Sequence, residues 1–435
     1  MLHGYAGRNR PAGIRPEDRP SEPLCAGALA LEGAGGRIVV VTLDMIGVHA
    51  AEIDSLRAAV KAGTDVGAGE LLIAASHTHF APCISPQLFH DPALGVVDPD
   101  PRFVARVTES VVEAVRESLT NMETGTMETC RVPVPSVVFN RRTIRRETGS
   151  ARIVQTSFLY PELPGQFEFS PVDPELAAIR IVTAAGPRAV LLNFGCHPVT
   201  GGNDPERDFY RISADYPFHL RRAIEDSWGC PAFFTLGAAG DAVPMNRAGS
   251  SRREIGGALG SAVLLGERVF AASGRRAEGE VRIASRVVEL AVKTNMPTRG
   301  TDAGRTYRAL REKTLASPAG SDGESAGEFV NAARRAYRAR LYPEDRFTAQ
   351  VQLVRIGETV LVCMPFEVLS EFSLRLKRAF PHAVVVSIAN GYEGYLPFAY
   401  EFERGGYEVT PDTTHFETDT ADRLLEKVLA ELSAF

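Results

Sequence analysis

Short unbroken apolar runs alternate along the chain with stretches whose apolar residues recur at helical spacing. RIVVVTLD at 37–44 and LLIAAS at 71–76 are runs of the first kind, the pattern of strands buried on both faces. Between them, AAEIDSLRAAVKAG at 50–63 has the helical pattern. So does 102–121, where Phe103, Val104, Val107, Val111, Val112 and Val115 mark one face. Strand, helix, strand and helix in this order predict an α/β fold with parallel pairing. Further strands are predicted at 177–183, 188–195, 231–236, 280–290, 348–356, 359–364 and 383–389. The expected class is therefore α/β, with mixed β-sheets flanked by helices.

Several of these strands run straight into polar residues. LLIAAS leads into His77-Thr78-His79, VLLNFGC into His197, and 231–236 into Gly237-Ala238-Ala239-Gly240-Asp241. Ligands of open α/β sheets collect beyond the carboxyl ends of the strands, so these positions come first as candidates. The stretch 296–345 is different. It is rich in Arg, Ala, Gly and Ser, and GSDGESAG at 320–327 reads as the loop between two charged helices. It is expected to be a helical surface insertion, acting as a lid or an oligomer contact. No fixed-period repeat and no linker divides the chain, so residues 1–435 are expected to form one domain.

Composition narrows the function classes. The 435 residues are 44% hydrophobic and 23% charged, within the usual globular range. A net charge of −6 argues against nucleic acid as the main partner. The basic run Arg141, Arg142, Arg145 and Arg146 is open to two readings, an anion site or a solvated face. Six cysteines without a CxxC pair point away from a disulfide framework and towards a reducing, cytoplasmic setting. No apolar run approaches the roughly 18 residues of a transmembrane helix, and the start lacks a signal-peptide pattern.

The candidate chemistry centres on histidines. His77 and His79, two residues apart at a strand end, present both imidazoles to one face. Neutral imidazole is the commonest zinc ligand, although such a pair also serves to cap a strand. His197 leaves a second strand in the same position, where the alternative is a buried imidazole satisfied by the backbone. Catalytic zinc also calls for a carboxylate. Glu367, after TVLVCMPF, fits that need, or else serves the dipole of a first helical turn. The loop Asn390-Gly391-Tyr392-Glu393-Gly394-Tyr395-Leu396-Pro397, followed by Gly406-Tyr407-Glu408, offers phenols as ligands, as oxyanion donors or as packing.

The segments LHGYAGR (2–8), PLCAGALAL (23–31), SHTHFAP (76–82), FNRR (139–142), GCHPVT (195–200), ISADY (212–216), GAAGDAVPMN (237–246), MPFEV (364–368) and NGYEGYLP (390–397) span nearly the whole chain. In this order they resemble the catalytic domain of the neutral/alkaline, non-lysosomal ceramidase family. The resemblance implies that domain's α/β fold and one zinc ion held by two histidines, a glutamate and a tyrosine. By motif these are His77, His197, Glu367 and Tyr395. It further implies that His79 is an imidazole that either supports the metal ligands or transfers a proton, Arg141 the substrate-orienting arginine and Tyr407 a substrate-contacting tyrosine.

This chain also departs from the family pattern. Phe366 stands where the family has the glycine of a PGE segment, and Val243 where it has a serine with a catalytic role. The C-terminal immunoglobulin-like domain, the opening strand and a secretion leader are not expected here. The resemblance then implies a zinc amidohydrolase acting on a small or lipid-like acylated substrate other than ceramide. A zinc esterase or lactonase and a non-catalytic metal- or ligand-binding relative stand as alternatives.

Overall fold

The computed structural model describes residues 22–88, 95–153, 163–200, 212–247, 251–274, 281–294, 302–316, 323–342, 346–411 and 413–435. The main strands fall into three sheets built on one plan. In the first, β1 (Ala26–Gly33) and β2 (Gly36–Leu43) pair antiparallel. Helix α1 (Ala50–Gly63) then crosses to β3 (Leu71–Ala75), which lies parallel to β2. Helix α2 (Pro101–Thr120) starts at a proline behind the capping Asp100. It leads to the second sheet, where β4 (Thr126–Pro133), β5 (Glu175–Thr183) and β6 (Gly186–Phe194) run antiparallel. Helix α3 (Tyr216–Trp228) crosses to β7 (Ala232–Leu236), parallel to β6.

Helix α4 (Ser251–Leu265) precedes the third sheet. This begins with β8 (Ile283–Lys293), and the helices α5 (Asp302–Ala316) and α6 (Gly323–Leu341) follow. Then come β9 (Arg346–Ile356) and β10 (Thr359–Cys363), antiparallel in turn. Helix α7 (Ser370–Ala379) crosses to β11 (Ala383–Val386), parallel to β10, and α8 (Thr420–Ala434) follows. Each sheet thus ends in one parallel pair reached through a helix. The polar residues beyond those pairs come together.

The apolar runs make sense in this arrangement because both faces of the strands are covered. Ile38 and Val40 of β2, Ala189 and Leu191 of β6, and Leu361 and Cys363 of β10 belong to one shared cluster between the sheets. The alternate residues face outward beneath helices: Val39 and Val41 with α1 and α2, Val190 and Leu192 with α3, and Val360 and Val362 with α7 and α8. A fully buried Val, Leu or Ile contributes about 1.5–3 kcal/mol each, so a strand with two such faces is held firmly in register.

The stretch 296–345 carries the two helices α5 and α6; residues 323–327, expected as part of the loop between them, belong instead to α6, and residues 317–322, like the segment 2–8, lie outside the described residues. The stretch Ser251–Ala272 is 22 residues long and, by length and composition, apolar enough to cross a membrane. Small residues spread through it hide this in a reading of apolar runs. Here its Ile255, Leu259 and Val263 pack in the core beside Tyr216, Leu220 and Ile224 of α3.

Candidate metal centre

His77 leaves β3 in the left-handed region, at φ 66°. Such a backbone costs a non-glycine residue roughly 1–2 kcal/mol. It is held there by a hydrogen bond from its N–H to Met45 O (2.9 Å), and its Nδ1 lies 2.6 Å from Ile46 O. His197 leaves β6 with its N–H on Ala242 O (2.9 Å) and its Nδ1 against Ala239 O. A ring nitrogen facing a carbonyl must carry the hydrogen. In both rings the lone pair is therefore on Nε2.

Both lone pairs meet the same atom. Glu367 Oε2 lies 3.3 Å from His77 Nε2 and 3.2 Å from His197 Nε2, with all three side chains buried. His77 Nε2 makes no hydrogen bond. Three acceptor atoms in contact repel one another unless a cation sits among them. Burial pushes the His197 pKa down to about 4, so that ring carries no proton charge at neutral pH. Zinc bonds of about 2.0 Å place the corners of a tetrahedron about 3.3 Å apart. The spacing and the donor set fit such an ion.

Glu367 does not open a helix. It forms a two-residue strand with Val368, paired in parallel with Tyr395–Leu396, and α7 starts only at Ser370. The helix-dipole reading of this residue therefore falls. Gly240 lies against its backbone, where a Cβ would come within 2.7 Å of Glu367 O. The other carboxylate oxygen, Oε1, accepts the hydroxyl of Tyr392 at 2.9 Å. Sequence reasoning named Tyr392 only as one phenol of its loop and gave it no role on Glu367. Its signal was its place three residues before Tyr395 in the same loop after β11.

His79 lies beside these two histidines, its ring 5.0 Å from that of His77 and 5.6 Å from that of His197. Ligand nitrogens of these three histidines lie within 4.8 Å of one another, a group able to hold a metal. Next to it is a second cluster. Arg141 donates from Nε to Glu408 Oε1 (2.8 Å) and from Nη2 to Gly240 O (2.9 Å) and Tyr395 Oη (3.0 Å). Arg142 reaches the other Glu408 oxygen at 2.8 Å. Burial opposes the Arg141 charge, but Tyr395, Glu408 and Glu367 hold its pKa above the usual arginine value. Burial and the charge of Glu367 push the Tyr395 phenol well above its ordinary value.

The structure thus joins His77, His197 and Glu367 directly, and joins Arg141, Tyr395 and Tyr407 alongside. The Tyr407 ring meets that of Tyr395 edge-on at 5.7 Å and is 47% exposed, at the rim of the site. Glu408, the buried counter-charge of two arginines, was not foreseen as a partner. Val243 sits in a short strand, Ala242–Pro244, fully buried with Phe139, Phe167 and Val199. A cavity of about 410 Å³ lies elsewhere, between β1 and the second sheet, lined among others by Leu29, Phe233 and Arg221.

No protein-family model matches the chain, and no curated protein does. Solved structures do match its fold. A ceramidase described as complexed with C2 aligns at a TM-score of 0.65 and 17% identity, over 93% of this chain and 69% of that one. The neutral ceramidase from Pseudomonas aeruginosa aligns at 0.65 and 17%, over 100% of this chain and 73% of its own. The likeness covers most of this chain although few residues are identical, and the chain has the fold of these ceramidases.

Proposed function

We propose that this protein is a zinc-dependent hydrolase that cleaves the amide bond of a small or lipid-like N-acyl substrate other than ceramide. The observation that carries this is the convergence of two tautomer-fixed imidazoles, His77 and His197, on one oxygen of Glu367. The ceramidase fold supports amide chemistry. Val243, buried in an apolar cluster where ceramidases carry a serine, supports a substrate of another kind. Six free cysteines, five of them buried, support a reducing, cytoplasmic setting.

His77, His197 and Glu367 hold the ion in this reading, with Tyr395 as a fourth ligand. Zinc bound there supplies Lewis acidity towards the scissile carbonyl and a water whose pKa is lowered to about 7. His79 takes a proton from the attacking water and returns it to the nitrogen of the leaving amine. Arg141, kept charged among its partners, and Tyr407 at the rim hold the carbonyl oxygen as negative charge gathers on it. Glu408 keeps the Arg141 guanidinium in place.

Metal analysis of the purified protein, followed by hydrolysis assays on matched N-acyl and O-acyl substrates, tests the reading. Expected are one zinc per chain and metal-dependent release of the amine. Cleavage restricted to O-acyl compounds would leave an esterase or lactonase. Metal without any hydrolysis would leave a binding protein.

A further inference from the structure

Among the described residues, the two helices of the insertion touch the rest of the chain at several places. Tyr307 of α5 accepts the N–H of Val96 at 2.9 Å, and Arg340 of α6 meets Asp98 at 2.6 Å. The third contact goes deeper. Tyr337 of α6 meets His49 Nε2 at 2.9 Å, while His49 Nδ1 lies 2.9 Å from the carbonyl oxygen of Tyr392. Facing that carbonyl, Nδ1 carries the hydrogen, so Nε2 is the acceptor and the Tyr337 hydroxyl is the donor. The His49 ring also stacks on the Tyr392 ring, with centroids 5.6 Å apart and planes 16° from parallel.

The Tyr392 ring also lies against Gly47, where a Cβ would come within 2.6 Å of Tyr392 Cγ. The loop Met45–His49 therefore does two jobs. Met45 and Ile46 hold His77 through their carbonyls, and Gly47 and His49 set the plane and height of Tyr392. Tyr392 in turn occupies Glu367 Oε1 and leaves Oε2 for the two histidines.

We propose that His49 and Tyr337 are positioning residues of the metal centre, through which the helical insertion holds Tyr392 and so orients Glu367. The inference rests on the metal reading above. An insertion docked in this way makes ion affinity depend on α6, although α6 supplies no ligand. Groups that orient a metal-bound carboxylate commonly change affinity by about 10–100-fold.

The test is zinc affinity of the full-length protein, by competition with a chromophoric chelator, for the parent, Tyr337→Phe, Tyr392→Phe and the double variant. Melting of the metal-free forms is followed in parallel. Expected is a loss of about 10–100-fold for Tyr392→Phe and a smaller loss of at least about threefold for Tyr337→Phe. The double variant should be no weaker than Tyr392→Phe alone, because both substitutions act on one chain of contacts. Gly47→Ala, whose added methyl presses on the Tyr392 ring, should weaken zinc binding as well.

Affinity losses that appear without a matching fall in the metal-free melting temperature support positioning over general damage to the fold. A parent that binds zinc while Tyr337→Phe binds it equally well, or losses that simply add in the double variant, would overturn this inference and leave the metal reading intact. A parent that binds no zinc overturns both.

Discussion

His197 Nε2 lies 3.2 Å from Glu367 Oε2, across 170 residues of sequence, and each side chain is fixed by its own strand. One follows β6 and the other follows β10, and neither could reach the other without the shared cluster that packs the sheets together.

Removing Glu367 or the other histidine that meets it, His77, should show first in metal binding. Glu367→Ala and His77→Ala are each expected to lower zinc affinity by on the order of 100-fold or more, since each would remove a proposed ligand of the ion. Chelator competition measures this. Stripping the parent of metal should abolish hydrolysis, and added zinc should restore it. Unchanged affinity in both variants would sink the ligand assignment.

The second prediction concerns fit. At Gly240 a methyl group would lie 2.7 Å from Glu367 O and 3.1 Å from Glu367 C, both backbone atoms that cannot swing aside. Gly240→Ala should destabilise the protein by roughly 1–3 kcal/mol and displace Glu367, weakening zinc binding at the same time. Urea unfolding of the metal-free protein reads the first effect. A variant as stable as the parent would show that the segment Gly237–Asp241 does not brace the carboxylate.

Much of this could be read from the sequence, and for a physical reason. Runs such as RIVVVTLD and LLIAAS are covered on both faces, so they are apolar throughout and stand out. The residues just beyond them stand out as well, because a histidine after such a run has no packing role to explain it. Strand β1 was not predicted as a strand. Its sequence, AGALALEG, is mostly half-buried and carries little periodic signal. The division of labour in YEGY was hidden too. Tyr392 and Tyr395 follow the same strand, and only the path of the loop puts one hydroxyl on Glu367 and the other on Arg141. The recurring plan of the three sheets left no repeat in the sequence, because the crossovers differ in length and composition.

Arg141 makes a prediction that separates chemistry from stability. Its guanidinium satisfies Glu408, Gly240 O and Tyr395 Oη from one planar fork, which a lysine ammonium cannot reproduce. Arg141→Lys should keep zinc and lower kcat/KM by about 100-fold, the usual scale for losing an oxyanion partner. Glu408→Gln acts differently. It leaves two buried guanidiniums without their shared counter-charge and should cost about 3–5 kcal/mol of stability. If Arg141→Lys released zinc as readily as a ligand variant, the arginine would belong to the metal site and not to the substrate.

The last prediction uses pH. Burial pushes the Glu401 carboxyl up to about 7, against the lowering effect of Arg142. Burial wins because Arg142 is bonded to Glu408 at 2.8 Å, while its nearest approach to a Glu401 carboxylate oxygen is 3.6 Å. A group whose folded pKa lies above its unfolded value stabilises the fold below the unfolded pKa. That contribution is lost as pH rises through the folded value. For Glu401 the loss runs from about 4.5 to about 7. Glu401→Gln keeps an acceptor for the Phe398 N–H, which Glu401 Oε2 now binds at 2.9 Å, but has no charge to bury. The variant should therefore gain on the parent as pH rises from 5 to 8, by on the order of 1–3 kcal/mol, each pKa unit being worth about 1.4 kcal/mol. Urea unfolding at several pH values measures the difference. A gap that stays constant across this range would mean that Glu401 is ionised throughout and paired with Arg142 after all.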